Sequence, residues 1–471
     1  MKNRILTLLV GAATLLAISC SKDDASTNYV SLSDSVYSFN YSGGNVTVTV
    51  TTSESSWRAE CSANWLTLAQ NGNTLEVNAV ANTNPGDRST EITIIAGHAS
   101  ATLQIFQNGN DNIPVIYRKM HGVPSINGHY EAGLTYPLPE AGDTGDTYYN
   151  IIINDMRNDK LLTFGPYSKT QFPLVETLAC DDNGNAYFTE NLNGAVGPVW
   201  YFNRQDGSLS PFDTFTIINQ AIPNLAVGYK SEPGKTELEA RPYKWVNGEP
   251  IRLETPETSC LGETEFSLLA RGLSSDGKII VGTEWVGTDM YATYWDESGK
   301  FHYIGEDVRE PFSEEGFDLF GNPATIHLCN GFFNLADRYA ISASGKWYAG
   351  WYRVQKLQDD KTQFENSYYP AYYNFEEGKS YICWDFPGCR AIAVTDDGIG
   401  IIATDLGPFS GDPELCDFYA IDVQSGTLIS SAQDFIYNLY GIYIPQRTYI
   451  QAFSEDGKVM LADLSYIVDR R

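Results

Sequence analysis

The sequence predicts an all-β protein in which a small β-sandwich precedes a β-propeller. Four segments with an apolar residue at every second position, all within residues 30–108, predict the sandwich. Two types of short hairpin recur from about residue 113 to residue 471, roughly once per propeller blade. The series begins with one hairpin type and ends with the other. Strands from both ends of the repeat region should therefore complete the last blade and close the ring.

Residues 1–19 are predicted to be a signal peptide of the lipoprotein type. Lys2 and Arg4 precede an apolar run, 5–18, which is too short to span a bilayer as a mature helix but is typical of a signal peptide. The run ends in Leu-Ala-Ile-Ser-Cys, which resembles a bacterial lipobox. The resemblance implies that Cys20 becomes a lipidated first residue carrying palmitate, and the alternative is a plain signal peptide that leaves Cys20 as a thiol.

Residues 20–29 are then expected to tether the protein to a membrane. Ser21-Lys22-Asp23-Asp24 resembles the acidic tag that carries lipoproteins of the Bacteroidetes to the outer face of the outer membrane. The alternative is an acidic start to a solvated linker. No later segment is long and apolar enough to cross a membrane, so lipid alone would provide the anchor.

Charge limits the classes of partner. The chain has 31 basic and 59 acidic residues, a formal charge of −28, and no basic cluster. A protein with this much negative charge repels nucleic acid and anionic lipid headgroups, so no nucleic-acid partner is expected. It also disfavours sulfated or uronate-rich polymers unless a cation bridges them. A neutral glycan, a glycoprotein or another protein is the more compatible partner.

Cysteine and histidine usage predicts no metal or cofactor. Seven cysteines remain beyond Cys20, with no C-x-x-C pair and no histidine at metal-ligand spacing. The odd number argues against a complete disulfide framework. Cys383 and Cys389 flank a Phe-Pro-Gly turn and could pair in an exported protein, or they could be buried small apolar residues.

Residues 30–108 carry a family resemblance. Their landmarks are Gly43-Gly44, Trp57, Trp65-Leu66-Thr67, Asn82, Arg88 and Gln107-Asn108-Gly109. This series resembles the BACON domain, an immunoglobulin-like module of Bacteroidetes surface proteins. The resemblance implies an association with carbohydrate-active proteins, either as a glycan- or mucin-binding module or as a spacer. From the residues themselves, we expect both tryptophans to be core anchors and Arg88 to be a structural hydrogen-bond donor.

Residues 109–113, which are polar up to Asn112, are predicted to be a linker, and 114–471 are predicted to form the propeller. The best hairpin pair lies in 272–304, where Asp276-Gly277 suits a tight turn. Six copies of each type give six blades as the preferred number, with seven as the alternative if residues 128–138 form another hairpin. The repeat at 270–295 resembles exported propeller repeats of the HAF type, which have no assigned chemistry. First-type hairpins are predicted at 178–189, 221–230, 272–282, 340–351, 393–404 and 452–463, and second-type hairpins at 148–164, 198–209, 241–253, 291–304, 370–382 and 418–429.

Functional residues are expected in the loops that are longer than the short connections between the repeated hairpins. Binding residues lie mainly in loops, whereas strand residues mainly pack in the core. These loops are predicted at 306–337, 353–369, 406–417 and 435–449. Tyrosine and tryptophan offer a sugar an apolar face and a polar group. The candidate ligand contacts are Trp285, Tyr437, Tyr440, Tyr443 and Tyr449. Strand aromatics, including Trp384, are expected to pack between blades instead.

Enzymatic chemistry leaves no local signature. Among 59 acidic residues no catalytic pair can be singled out, and neither a nucleophile elbow nor a Cys-His motif is present. The acidic turns at 181–184 and 396–398 could in principle bind calcium, but turn chemistry explains them better. The sequence therefore predicts a surface lipoprotein that captures glycans. The alternatives are a propeller glycosidase or lyase, and an adhesion or assembly protein with a protein partner.

Overall fold

A computed structural model divides the chain into two units, 1–111 and 112–471. The predicted signal peptide and Cys20 lie outside the described residues, as do linker residues 110–113. The structure describes residues 28–39, 41–83, 88–107, 109, 115–135, 148–191, 196–231, 240–317, 322–333, 338–358, 364–404, 416–445 and 447–471.

The first unit is the predicted β-sandwich. One sheet has the order β1-β3-β6-β5 and the other the order β2-β8-β7-β4. Alternating apolar side chains of both sheets form its core, which includes Trp57, with Trp65 packed against the margin. Arg88 lies over the Trp65 ring and donates to Gln107 and to the carbonyl oxygen of Val80. The strands are β1 Val30–Leu32, β2 Val36–Phe39, β3 Gly44–Thr52, β4 Arg58–Glu60, β5 Leu66–Asn71, β6 Thr74–Ala79, β7 Arg88–Ala96 and β8 Ala99–Gln107.

The second unit consists of strands and one described helix. The strands in its first half are β9 Val115–Lys119, β10 Val123–Pro124, β11 Tyr130–Thr135, β12 Tyr148–Asp155, β13 Lys160–Ser168, β14 Glu176–Cys180, β15 Ala186–Thr189, β16 Gly197–Asn203, β17 Ser208–Ile222, β18 Leu225–Lys230, β19 Arg241–Val246, β20 Glu249–Arg252, β21 Ser267–Leu273 and β22 Ile280–Val286. The later elements are β23 Asp289–Trp295, β24 Phe301–Tyr303, β25 Glu310–Phe317, β26 Pro323–Phe333, β27 Trp347–Leu357, β28 Phe364–Asn374, β29 Lys379–Ile382, β30 Arg390–Val394, β31 Ile399–Ala403, β32 Phe418–Asp422, β33 Thr427–Ser431, α1 Ala432–Tyr440, β34 Ile450–Phe453, β35 Val459–Ala462 and β36 Ser465–Asp469.

These strands form seven blades, so the preferred number of six is wrong and the alternative of seven is correct. The additional first-type hairpin is β10–β11 rather than the range 128–138 that we expected, because residues 130–135 form the single strand β11. Its turn at Ser125–Gly128 has the same chemistry as the other copies. Blades 2 and 3 share the long strand β17, which changes partner at Thr216. The blades are β10–β13, β14–β16 with the first part of β17, the rest of β17 with β18–β20, β21–β24, the end of β26 with β27–β29, β30–β33, and β34–β36 with β9.

Both ends of the unit complete the last blade, as predicted, but with other strands. We expected the hairpin at 148–164 to join the one at 452–463. Instead β9 pairs with β36, and the 148–164 hairpin belongs to blade 1. Blade 7 also contacts blade 1 through the Asn154 to Tyr466 hydrogen bond of 2.9 Å. Strands from both ends of the unit thus form blade 7, and side-chain hydrogen bonds connect it to blade 1.

One end of the blades, the turn face, carries the first-type turns. In six of them a Ser, Thr or Asp side chain accepts backbone N–H groups of its own turn; the residues are Ser125, Asp181, Ser274, Ser342, Thr395 and Ser454. Neighbouring turns are also joined. Asn127 donates to Asp182, and Ser344 donates to Asp396. The repeat motif is therefore explained by turn structure and by contacts between blades.

The opposite end, the loop face, carries the irregular connections. Its largest additions are the β25–β26 hairpin, the connection 253–266 and the two ends of the segment 432–449. The α1 helix within that segment runs towards the turn face, where the Tyr440 hydroxyl donates to the Gly457 carbonyl and Arg471 donates to the Leu439 carbonyl. We expected a loop at 435–449, but its first residues belong to a helix that buries Ala432, Ile436 and Tyr440. In the part of the chain that the structure describes, no helix has the length and hydropathy needed to span a bilayer.

Candidate functional site

A cleft of about 470 Å³ opens on the loop face of blade 7. Three segments form it: the end of β9, the turn between β35 and β36, and the segment that leads from α1 to β34. Its lining residues are Tyr117, Arg118, Lys119, Pro445, Arg447, Thr448, Tyr449, Asp463, Leu464 and Ser465. Strand β9, which completes the last blade, thus also forms one wall of the cleft.

Backbone hydrogen bonds hold the walls of the cleft together. Asp463 N–H donates to the Tyr449 carbonyl at 2.8 Å, and Met120 N–H donates to the Leu464 carbonyl at 2.8 Å. Leu464 has φ of 58° and is 64 % exposed, so an apolar side chain projects from the turn into solvent. An exposed leucine in the left-handed region is costly in a purely structural turn. A ligand that covers the Leu464 side chain would remove its apolar surface from water and so offset this cost.

Basic side chains outnumber acidic ones in the lining of the cleft, although the protein as a whole is acidic. Arg118, Lys119 and Arg447 line it, and Asp463 is the one acidic residue among its described lining. Arg118 is held by a bidentate contact to Asp159, at 3.2 and 3.0 Å. The guanidinium and ammonium groups supply hydrogen-bond donors, and Asp463 and Thr448 supply acceptors. This mixture suits a hydroxyl-rich ligand.

A smaller cavity of about 190 Å³ adjoins the cleft and shares Arg447 and Thr448 with it. Asp417, Phe418, Tyr419 and the start of α1 form its other walls. Arg447 Nε lies 3.9 Å from Asp417 Oδ1, and about half of each side chain is exposed. Because the two cavities meet at Arg447, an extended ligand could occupy both.

A row of aromatic and arginine side chains runs from the cleft towards blade 4. Arg390 lies 5.5 Å from the Tyr449 ring and 5.8 Å from the Trp351 ring. Trp351 stacks on Phe333 with an interplanar angle of 2°, and Arg353 lies 4.7 Å from the Phe333 ring. Alternating cations and aromatic faces stabilise one another when water is excluded. The row therefore holds the Tyr449 ring in place through its contact with Arg390.

Arg353 anchors the far end of this row. It is 2 % exposed and bonds both carboxylate oxygens of Asp289, at 2.6 and 3.0 Å, and the Tyr291 hydroxyl at 2.7 Å. Burial alone would lower the pKa of Arg353, but the bond to Asp289 and the nearby Tyr291 raise it overall. The ion pair joins blades 4 and 5 beside their single strand contact, Tyr291 to Phe333.

The structure does not bring the five predicted contact residues together. Tyr449 lines the cleft. Tyr437 and Tyr443 stack on each other, with ring centroids 4.1 Å apart, and both are exposed. Tyr440 is buried, and its hydroxyl donates to the Gly457 carbonyl at 2.9 Å. Trp285 is half-exposed at the end of β22 in blade 4 and donates to the Gly287 carbonyl.

Sequence reasoning missed several residues of this face. Trp384 was expected to be packed, yet 55 % of it is exposed, with Tyr369 and Tyr352 edge-on beside it. Its position directly before the Asp-Phe-Pro-Gly turn was the available signal. Arg118 and Arg447 carried no signal, because only the closing of the blade brings β9 near the segment after α1. The candidate loop at 406–417 lies almost entirely outside the described residues.

Two buried carboxylates elsewhere in the unit, Asp181 and Glu284, have structural partners. Asp181 accepts from the backbone of Asn183 and Asn185, as a turn residue does, and burial raises its pKa. Burial also raises the pKa of Glu284, which accepts from Tyr303 and from Cys260 N–H. Within the described residues, no group of three or more His, Cys, Asp or Glu side chains is placed to hold a metal ion.

Comparison with known families identifies part of the first unit. Residues 55–108 match the family model described as "BACON: Putative binding domain, N-terminal". This match confirms the resemblance stated for the sandwich. No curated protein matches the chain.

Three solved structures are among those with which the chain shares similarity. The NMR structure of a protein from Bacteroides thetaiotaomicron is 14% identical over 20% of this chain and 98% of its own, with a TM-score of 0.18. TolB from Acinetobacter baumannii is 14% identical over 65% of this chain and 64% of its own, with a TM-score of 0.31. Oligogalacturonate lyase from Vibrio parahaemolyticus is 12% identical over 75% and 91%, with a TM-score of 0.27.

Proposed function

We propose that this protein is an outer-membrane surface lipoprotein that binds extracellular carbohydrate in the blade 7 cleft. The observation that carries the proposal is the composition of the cleft. It combines two tyrosine rings, Tyr117 and Tyr449, with the hydrogen-bonding groups of Arg118, Arg447 and Asp463. Sugars present apolar C–H faces and many hydroxyl groups, and a site for them needs both kinds of contact.

The position of the cleft supports the same proposal. It lies on the face where blades differ from one another, whereas the turn face is a repeated structural element. Binding sites in repeat folds are built from such variable connections. Its volume of about 470 Å³ lies within the range of small-ligand sites and suits one or two sugar units.

The remaining parts of the chain have supporting roles in this proposal. Cys20 would carry lipid, and the BACON sandwich would hold the propeller away from the membrane. In cells, a Cys20→Ala variant should lose incorporation of labelled palmitate and should leave the membrane fraction. Protease added to intact cells should degrade the lipidated wild-type protein. Wild-type protein that is unlabelled or resistant to protease would contradict the proposed location.

The binding proposal is tested on a glycan array with the full chain, followed by titration calorimetry on the best oligosaccharide. Tyr449→Ala and Arg447→Ala should each weaken binding about tenfold, because the loss of one good contact is worth roughly 1.4 kcal/mol. Tyr443→Ala is the matched control. It removes an exposed tyrosine that is absent from the described cleft lining, so it should bind as the wild type does.

Two results would contradict the proposed site. One is an array without any bound glycan. The other is a bound glycan whose affinity is unchanged by both cleft variants, particularly if the Tyr443→Ala control loses binding instead. That second result would move the site to the stacked pair Tyr437 and Tyr443.

A further inference from the structure

Two cysteines that are distant in sequence meet in the interior of the second unit. The sulfur atoms of Cys260 and Cys329 lie 3.0 Å apart, although 69 positions separate the residues in the chain. Cys260 is 6% exposed and Cys329 is fully buried. The buried Cys180 sulfur, by contrast, donates to the Asp181 carbonyl oxygen. This thiol pair is distinct from the carbohydrate cleft.

Each cysteine is held in position by its own backbone contacts. Cys260 N–H donates to the Glu284 carboxylate at 2.9 Å, and Glu284 is itself fixed by the Tyr303 hydroxyl at 2.7 Å. Cys329 lies on β26, where its N–H donates to Gln355 at 3.2 Å. The two sulfur atoms therefore face each other because two separate networks place them.

The surroundings of the pair favour one thiolate. Arg309 lies beside both sulfur atoms and over the Tyr303 ring at 4.0 Å. The hydrogen bond from Cys260 and the charge of Arg309 lower the pKa of Cys329. The hydrogen bond to Cys329 and burial raise the pKa of Cys260. A thiolate beside a thiol is the reactive state for thiol–disulfide exchange.

We infer that Cys260 and Cys329 are a site of covalent modification, at which a disulfide forms between the connection 253–266 and the β25–β26 hairpin. The reaction requires the sulfur atoms to approach from 3.0 Å to about 2.05 Å, within reach of small side-chain adjustments. Disulfides persist in compartments outside the cytoplasm, where the protein is expected to reside. The cross-link spans blade 4 and fixes two irregular elements of the loop face.

The chemistry is an exchange with a disulfide oxidant, either a small molecule or a protein. The Cys329 thiolate attacks one sulfur of the oxidant, forms a mixed disulfide and releases the first oxidant thiolate, which takes up a proton. Cys260 then loses its proton and its sulfur attacks the Cys329 sulfur, which releases the second oxidant thiolate. Two protein thiols are oxidised, and the oxidant disulfide is reduced to two thiols. Because the pair is buried in the folded unit, the exchange takes place late in folding, when Cys260, Cys329 and Arg309 have come together but are still open to the oxidant.

The test refolds the full chain from the reduced, unfolded state in a buffer containing reduced and oxidised glutathione. Remaining thiols are alkylated, the protein is digested without reduction, and the peptides are identified by mass spectrometry. The expected product is one linked pair of peptides containing Cys260 and Cys329, lighter by two hydrogen atoms than the separate peptides. Recovery of both residues as alkylated thiols from folded protein would overturn the inference. So would a link from either residue to any other cysteine.

Thermal unfolding gives a second measurement. Closing a loop of about 70 residues should raise the melting temperature of the oxidised protein by about 5 °C over the reduced protein. A Cys260→Ala/Cys329→Ala variant should not respond to reductant. Cys180→Ala, which removes a different buried thiol, should keep the full response. An unchanged response in the double variant would overturn the inference, and the peptide measurement on wild-type protein holds even if a variant fails to fold.

Discussion

Removal of the Asp289 carboxylate tests whether the buried arginine between blades 4 and 5 depends on its partner. Asp289→Ala leaves the Arg353 guanidinium, which is 2 % exposed, without the two bonds at 2.6 and 3.0 Å. Breaking a buried ion pair from one side costs about 3–5 kcal/mol. The Asp289 side chain is 21% exposed, so water can partly replace it. We therefore expect a loss near the lower limit, about 3 kcal/mol.

The expected shift in melting temperature follows from the size of the unit. At roughly 2.1 cal/mol/K of unfolding entropy per residue, a unit of this length loses about 4 °C for a destabilisation of about 3 kcal/mol. Differential scanning calorimetry of the full chain measures this shift. Glu376→Ala is the control, because Glu376 is 71% exposed and lies 3.9 Å from Lys346. Such an exposed pair should change stability by less than about 0.5 kcal/mol.

A second substitution separates charge burial from lost packing. Arg353→Met in the Asp289→Ala background removes the unpaired charge and keeps an apolar side chain between Phe333 and Tyr291. Replacing both members of a buried pair by apolar groups is often nearly neutral. The double variant should therefore melt above Asp289→Ala. Equal or lower stability of the double variant, or a loss below about 1 kcal/mol for Asp289→Ala alone, would refute the reasoning.

Two further predictions concern packing and pH. Gly228→Ala should lower the free energy of unfolding by about 1–3 kcal/mol in calorimetry, because the new Cβ in blade 3 would lie 1.9 Å from the Ile217 carbonyl oxygen. Gly331→Ala is the control and should cost less, because the nearest atom to its new Cβ is 3.7 Å away. Equal effects of the two substitutions would contradict this account. Burial alone would raise the pKa of Asp456, but hydrogen bonds from Arg157, Ser454 and the Lys458 N–H lower it overall. The stabilisation that Asp456 gives the folded protein is therefore present above its ordinary pKa of 3.8 and is lost as the pH falls below that value. Melting curves from pH 6 to about pH 3 should show wild type and Asp456→Asn converging, and parallel curves would contradict the assignment.

The hairpins could be predicted because their information is local. A turn such as Ser274-Ser275-Asp276-Gly277 fixes its own geometry: Gly277 has φ of 72°, and the Ser274 hydroxyl accepts from Ile279 N–H. The seventh copy was harder to recognise because β10 has only two residues and Asn127 replaces the usual aspartate. The last first-type hairpin, β34–β35, was predicted without a following strand, because only two residues connect β35 to β36.

The candidate site could be predicted only in part, because its residues come from opposite ends of the unit. Tyr449 was identified from its position in a tyrosine-rich segment, and the structure places it in the cleft. Arg118 comes from β9, more than three hundred positions earlier. Its place beside Tyr449 depends on the pairing of β9 with β36. No local pattern encodes that pairing, because it is a property of the closed ring.

The two faces of the second unit explain how a protein with a formal charge of −28 can have a cleft lined mainly by basic side chains. Many carboxylates of the turn face are used within or between turns. Asp182 accepts from Asn127, and Glu455 accepts from Ser275 at 2.7 Å, which joins the turns of blades 7 and 4. Such residues stabilise the ring at the end remote from the loop face, and charges separated by more than a Debye length of about 8 Å are largely screened. The local groups of the cleft, rather than the net charge of the protein, should therefore decide which ligand the cleft accepts.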